Sequence, residues 1–218
     1  PNESARGHGS KNTGVIVGNP NTGEIYAMAS NHGFDLNDPH DLSAWYTDAE
    51  IKGMTEEETV EALNTAWNNS CVSESFEPGS TFKPVTVSSA LEMGVVNTDE
   101  IFYCDGYEQV ADRTIRCDNV SGHGPETVKD AIMNSCNDVL MQIGARMTVS
   151  GFSKYQRMFN FGSQTGIDLP NENPGVLYTE EAMHQVELAT NTFGQGFTCT
   201  MIQEWAGFSA VVNGGYYY

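Results

Sequence analysis

The stretch Glu77-Pro78-Gly79-Ser80-Thr81-Phe82-Lys83 constrains this chain more than any other. Pro78-Gly79 is turn chemistry, and Ser80 stands where a helix N-cap or first-turn residue stands. An apolar run from Val85 to Met93 follows, with Gly94 placed as the stop. Pro84 fits only in a first turn, where backbone N–H groups lack intrahelical partners. Ser80 and Lys83 are three residues apart, so one helical turn stacks them on one face. A serine hydroxyl needs an adjacent base to act as a nucleophile at neutral pH. A lysine can be that base where burial and nearby positive charge favour its neutral amine. The helix N-terminus adds partial positive charge that suits a developing oxyanion. The bare Ser-x-x-Lys spacing also arises by chance, and alone it reads as a capping serine beside a solvated lysine.

A chain of 218 residues can bury the core of one sizeable domain, or of a domain with a small appendage. The hydrophobic fraction of 39% with 22 glycines implies a folded, loop-rich protein. The net charge of −19 argues against nucleic acid as a partner and disfavours adsorption to anionic lipid. No apolar run approaches the ~18 residues of a membrane-spanning helix, and no signal peptide, repeat or low-complexity tract is visible. The five cysteines, an odd number, cannot all pair within the chain.

Residues 1–12 read as a polar leading segment and 13–218 as one domain. Residues 13–18 and 24–30 read as a hairpin closed by Asn19-Pro20-Asn21-Thr22-Gly23. Residues 31–46 read as a loop. Thr55-Glu56-Glu57-Glu58 is a capping box that starts a helix reaching Trp67. Residues 107–110 and 113–117 form a second pair of strand-like runs around Ala111-Asp112. Residues 122–125 read as a loop and 126–133 as a short helix, broken at Asn134-Ser135-Cys136-Asn137. Helices over 138–147 and from Ser150 to about Gly162 follow, then a turn-rich stretch over 163–178. A capping box at Thr200-Met201-Ile202-Gln203 starts a helix that ends at Asn213-Gly214-Gly215, and Tyr216-Tyr217-Tyr218 reads as the start of a strand.

These segments together resemble class B penicillin-binding proteins, the peptidoglycan transpeptidases of bacterial elongation, division and sporulation. Glu77 to Pro84 is similar to their first motif, and Ser135-Cys136-Asn137 resembles their Ser-x-Asn motif. Phe193-Gly194-Gln195-Gly196, Thr200 and Asn213-Gly214-Gly215-Tyr216 resemble the segment leading into the third. Thr22-Gly23-Glu24-Ile25 and Ala27-Met28-Ala29-Ser30 match the family's first strands. The likeness spans nearly the whole chain and is greatest to proteins of anaerobic Gram-positive bacteria. One departure stands out: no Lys-Thr/Ser-Gly occurs, since Lys11, Lys52, Lys129 and Lys154 lack that context. The resemblance therefore implies an α/β (α+β) fold of the penicillin-binding protein/serine β-lactamase type. Its antiparallel sheet, flanked by helices, would be incomplete at the C-terminus.

The resemblance also implies roles. Ser80 would be the acylated nucleophile, Lys83 its base, Ser135 a proton relay, and Asn137 the residue that holds Lys83 and the substrate amide. Gln195, Gly196 and Thr200 would shape the substrate site, while Glu77 reads as a carboxylate favoured by a helix N-terminus. No cofactor is implied for catalysis. The implied partners are peptidoglycan stem peptides, β-lactams and a wall-synthesis complex with a glycosyltransferase. The implied location is the outer face of the plasma membrane, through an anchor absent from this chain. A serine β-lactamase, a D,D-carboxypeptidase or a non-catalytic β-lactam-binding module are the alternatives.

Cys104, Cys117, His123 and Cys136 lie in one region, and three cysteines with one histidine are a structural zinc ligand set. Some elongation-type class B proteins carry zinc at corresponding positions, so zinc is the preferred reading. A Cys104–Cys117 disulfide with a free Cys136, or three reduced core cysteines, are the alternatives. Cys71 and Cys199 read as small core residues, and His8, His32, His40 and His184 as surface histidines.

Overall fold

A computed structural model of the protein describes residues 13–31 and 33–218. The leading segment, with His8 and Lys11, and also His32, fall outside the described residues. Among the described residues every ladder is a two-stranded antiparallel ribbon, and helices pack between the ribbons.

The first ribbon pairs β1 (Gly14–Gly18) with β2 (Ile25–Ser30), in register from Gly14 opposite Ser30 to Val17 opposite Ala27. Its turn is the expected one: the Asn19 carbonyl accepts from Thr22 and Gly23, and Gly23 has φ 73°. Two capped helices follow, α1 (Asp48–Gly53) and α2 (Glu56–Trp67). Each begins with a reciprocal box, Thr47 with Glu50 and Thr55 with Glu58, which satisfies N–H groups that the helix cannot. Leu42, Ala62, Leu63 and Ala66 form a small satellite core beneath them. The short helix α3 (Ser70–Ser73) buries Cys71 and Val72.

Strand β3 (Ser75–Phe76) pairs with the distant β8 (Cys199–Thr200), which brings the two flanks of the molecule together beside Ser80. A 3₁₀ turn over Gly79–Phe82 leads into α4 (Lys83–Glu92). This helix ends as expected: Gly94 has φ 66°, its N–H reaches Leu91, and the Val95 N–H reaches Ala90. That pair of bonds is a Schellman motif, which glycine permits without steric cost.

Next come β4 (Ile101–Cys104), β5 (Tyr107–Val110), β6 (Arg113–Arg116) and β7 (Gly124–Thr127). The ribbon β5–β6 turns at Ala111-Asp112 as expected. The expectation of a loop over 122–125 and a helix from 126 is corrected. Residues 124–127 are a strand paired with β4, and α5 (Val128–Met133) starts after its Thr127 cap. Helix α6 (Asn137–Met158) covers both helices expected there, and its break falls at Thr148, with φ 63°. The chain then adds α7 (Gln185–Asn191), which the sequence reading left out, and α8 (Met201–Val212). Residues 216–218 form no ladder among the described residues. Tyr218 instead lies against Gly23, because a strand needs a partner edge.

The main core joins Val85, Val87 and Ala90 of α4 to Val139, Leu140, Ile143, Met147 and Phe152 of α6. Phe82 stands at its centre, 1% exposed, with edge contacts to Phe152, Phe161 and Phe197 at centroid distances of 6.2, 5.1 and 4.8 Å. Such ring pairs add to the gain from burial alone. Phe82→Ala should destabilise the fold by about 3–5 kcal/mol, read from denaturant unfolding. A loss below ~1 kcal/mol would mean that the ring does not hold this turn in place.

Candidate active site

The site begins at the 3₁₀ turn. Gly79 has φ 60°, which reverses the chain after Pro78, and Thr81 donates to the Pro78 carbonyl at 2.8 Å. Of the two positions open to Ser80, N-cap or first turn, the structure selects the turn. Ser80 does not cap α4, which begins at Lys83 with no side-chain cap. The Ser80 hydroxyl is thereby left exposed on the turn, while Lys83 one turn later is 1% exposed. Pro84 lies in the first turn of α4, where its missing N–H has no cost.

A cation buried to that extent needs acceptors. The Lys83 ammonium has three: the Ser135 carbonyl at 2.6 Å, the Ser135 hydroxyl at 2.9 Å and Asn137 Oδ1 at 2.6 Å. Ser135 Oγ lies 2.9 Å from Ser80 Oγ. The predicted quartet of Ser80, Lys83, Ser135 and Asn137 is therefore one connected cluster, and Lys83 reaches Ser80 through Ser135. Burial pulls the Lys83 pKa down, with Asp118 the largest opposing charge. Ser135 adopts φ 53°, which a side chain disfavours, and this lets both its carbonyl and its hydroxyl face the amine.

The segment 193–200 closes the other side. Gly79 N–H donates to the Gly194 carbonyl at 2.8 Å, and Gly194 has φ 84°. A Cβ at Gly194 would collide with the Gly79 backbone, so glycine is required by contact as well as by conformation. Glu77 accepts from the Gly196 N–H at 2.8 Å, a clamp between loops that its reading as a helix-terminus carboxylate left out. Gln195 is exposed beside this clamp. Thr200 is fully buried, caps α8 with Gln203 and pairs with Ser75, so it shapes this wall from within.

Behind the Ser135 turn, the ribbons gather Cys104, Cys117, His123 and Cys136, whose donor atoms lie within 4.8 Å of one another. Cys104 ends β4, Cys117 follows β6, His123 precedes β7, and Cys136 caps α6. None of the five cysteines is bonded to another, so the Cys104–Cys117 disulfide is not formed. Tetrahedral zinc, with Zn–S about 2.3 Å and Zn–N about 2.0 Å, sets its donors about 3.5–3.8 Å apart. The Cys117–Cys136 sulfurs are 3.8 Å apart, and His123 Nδ1 is 3.5 Å from Cys104 Sγ and 4.0 Å from Cys117 Sγ. Glu126 Oε2 is buried without a hydrogen-bond partner 3.7 Å from the same nitrogen. An orphaned carboxylate oxygen beside three thiols fits a cation. The donor set and its spacing therefore fit zinc. Cys71 and Cys199 are wholly buried, as expected.

The sequence reading passed over Asp118 and Glu126. Asn137 Nδ2 lies 3.5 Å from Asp118 Oδ1, and Glu126 Oε1 accepts from Asn134 at 2.6 Å. Glu126 is placed by the pairing of β7 with β4, which has no local signature in the sequence.

The family described as penicillin binding protein transpeptidase domain matches residues 13–218. Stage V sporulation protein D of Bacillus subtilis is 37% identical over 205 residues, covering 94% of this chain and 29% of that protein. Peptidoglycan D,D-transpeptidase MrdA of Acinetobacter baumannii is 27% identical over 200 residues, covering 87% of this chain and 29% of that protein. A solved structure described as a peptidoglycan synthetase from Bifidobacterium adolescentis superposes with TM-score 0.77 at 25% identity, covering 97% of this chain and 35% of that one. The chain thus spans under a third of the length of these curated relatives. With its residues 13–218 matched throughout, the chain belongs to the penicillin-binding protein transpeptidase domain family.

Proposed function

We propose that this chain supplies the acylating centre of a D,D-transpeptidase that cross-links peptidoglycan stem peptides and is acylated by β-lactams. The observation that carries the reading is the hydrogen-bonded line Lys83–Ser135–Ser80, buried at the amine and open at the nucleophile. In this reading neutral Lys83 accepts the Ser135 proton while Ser135 accepts that of Ser80. Ser80 Oγ then attacks the penultimate D-Ala carbonyl, forming a C–O bond. The C–N bond breaks, and the same line returns the proton to the departing D-Ala amine. The amine of a second stem peptide then displaces Ser80 from the acyl group. Asn137 holds Lys83 with its oxygen and has amide hydrogens for the substrate. The Ser80 N–H is one oxyanion donor. The Lys-Thr/Ser-Gly strand that the family resemblance implies is not among these residues, so the activity proposed is that of the parent enzyme. The relative named peptidoglycan D,D-transpeptidase MrdA supports a role in peptidoglycan cross-linking, and the reading places that role outside the plasma membrane, with a glycosyltransferase-containing complex as the partner.

The same reading includes a structural zinc ion held by Cys104, Cys117, His123 and Cys136. When bound, it would supply cross-linking between the ribbons and the Ser135 turn, without acting on substrate.

Three outcomes follow for the parent enzyme. Ser80→Ala should abolish covalent labelling by a fluorescent penicillin, and rapid hydrolytic turnover of penicillin by the wild type would favour a β-lactamase instead. The acylation rate should rise as pH climbs through the Lys83 pKa, with a midpoint below the ordinary lysine range. Burial favours the neutral amine, which is the form that accepts a proton. A rate that stays flat until that ordinary range would contradict Lys83 as the base. Enzyme purified without added metal should carry about one zinc per chain by elemental analysis, and a chelator should lower its melting temperature. A metal-free protein of unchanged stability would remove the zinc from the reading.

A further inference from the structure

Two cysteines of the cluster are each followed directly by a residue that turns towards Lys83. Asp118 follows Cys117, and Asn137 follows Cys136. The two cysteine sulfurs are 3.8 Å apart, and the two following side chains meet at 3.5 Å, Asn137 Nδ2 against Asp118 Oδ1. The Asn137 amide therefore lies between a cation and a carboxylate. Its oxygen accepts from the Lys83 ammonium at 2.6 Å, and its NH₂ group points the other way, to Asp118. An amide has two N–H bonds in one plane, so fixing one aims the other. Asp118 is itself exposed, and it is held by its backbone between the buried Cys117 and the turn over 118–122.

We propose that Asp118 is a positioning residue for acylation, which fixes the plane of the Asn137 amide. This rests on the acyl-enzyme reading above. Asp118 does not reach Ser80 and takes no proton. It determines where the second Asn137 N–H points and how firmly Asn137 Oδ1 stays on Lys83. The short link from Cys117 to Asp118 makes the cysteine cluster the anchor of this contact, as the link from Cys136 to Asn137 does on the other side.

The test uses the full-length enzyme and a chromogenic penicillin, with the acylation rate constant and the pre-acylation dissociation constant measured separately by stopped flow. Asp118→Ala should slow acylation about tenfold or more while the dissociation constant stays within about twofold. Asp118→Asn keeps an oxygen that can accept from Asn137, and it should recover to within about threefold of wild type. In a double-mutant cycle, Asp118→Ala should cost almost nothing further once Asn137 is Ala. Zinc content and melting temperature should match the wild type in both Asp118 variants, since the side chain is exposed. An unchanged rate in Asp118→Ala, a fully additive cycle, or an Asp118→Asn variant as slow as Asp118→Ala would each overturn the proposal. If the alanine variant fails to fold, Asp118→Leu, which keeps the bulk and removes the acceptor, carries the same cycle with Asn137→Ala. Failure of the acyl-enzyme reading itself is distinguishable, because then the wild type would not be acylated at all.

Discussion

A lysine ammonium with 1% of its surface exposed governs how this molecule can be arranged. Removing a charge from water is costly, and an amine with three donors needs three acceptors at short range. All three come from one three-residue segment, as a carbonyl, a hydroxyl and an amide oxygen. A helix interior could not present that set, because its carbonyls are already used by i+4 N–H groups. The segment must therefore interrupt the helical run between α5 and α6. It does so by taking Ser135 into the left-handed region, a strain of about 1–3 kcal/mol that the buried ammonium's bonds offset. The position of Ser135 beside Ser80 follows from the same constraint that satisfies Lys83.

Precision at this site depends largely on backbone groups and small residues. Glu77 holds the Gly196 N–H, Gly79 holds the Gly194 carbonyl, and Gly194 has no room for a side chain. Phe82 fixes the same turn from below through three aromatic edges. Three segments far apart in sequence, at 77–83, 135–137 and 193–200, are thus joined by contacts whose geometry is nearly invariant.

The sequence disclosed what local chemistry encodes. The capping boxes at Thr55 and Thr200, the turn at Asn19 to Gly23 and the stop at Gly94 are satisfied by neighbours within a few residues, so each is visible in a short window. The quartet of Ser80, Lys83, Ser135 and Asn137 was legible for a different reason, as two motifs that resemble those of a known family. The ribbons were hidden where pairing is distant. Gly124 to Thr127 looks like a loop followed by a helix start, and becomes a strand only because Ile101 to Cys104 lies against it. The same tertiary override applies to β3 and β8, and α7 escaped notice because it is short. Ser80 stayed open between an N-cap and a first-turn position because a 3₁₀ turn and a helix start share a signature.

The hidden ribbons also explain why a cysteine cluster sits beside a serine centre. Residues 100–127 contribute no member of the Lys83–Ser135–Ser80 line, yet they form the wall behind it. Short two-stranded ribbons are marginal by themselves, since each buries one face at most. Held together only by packing, they could shift against α6 by a fraction of an ångström, and that shift would pass directly to Asn137 through Cys136. One donor from each of β4, the end of β6, the turn before β7 and the cap of α6 converges on a common point. The buried Glu126 places one oxygen, without a hydrogen-bond partner, beside this point, 3.7 Å from His123 Nδ1. Its other oxygen holds Asn134, immediately before the strained serine, so the wall and the turn share one carboxylate as well as one cysteine.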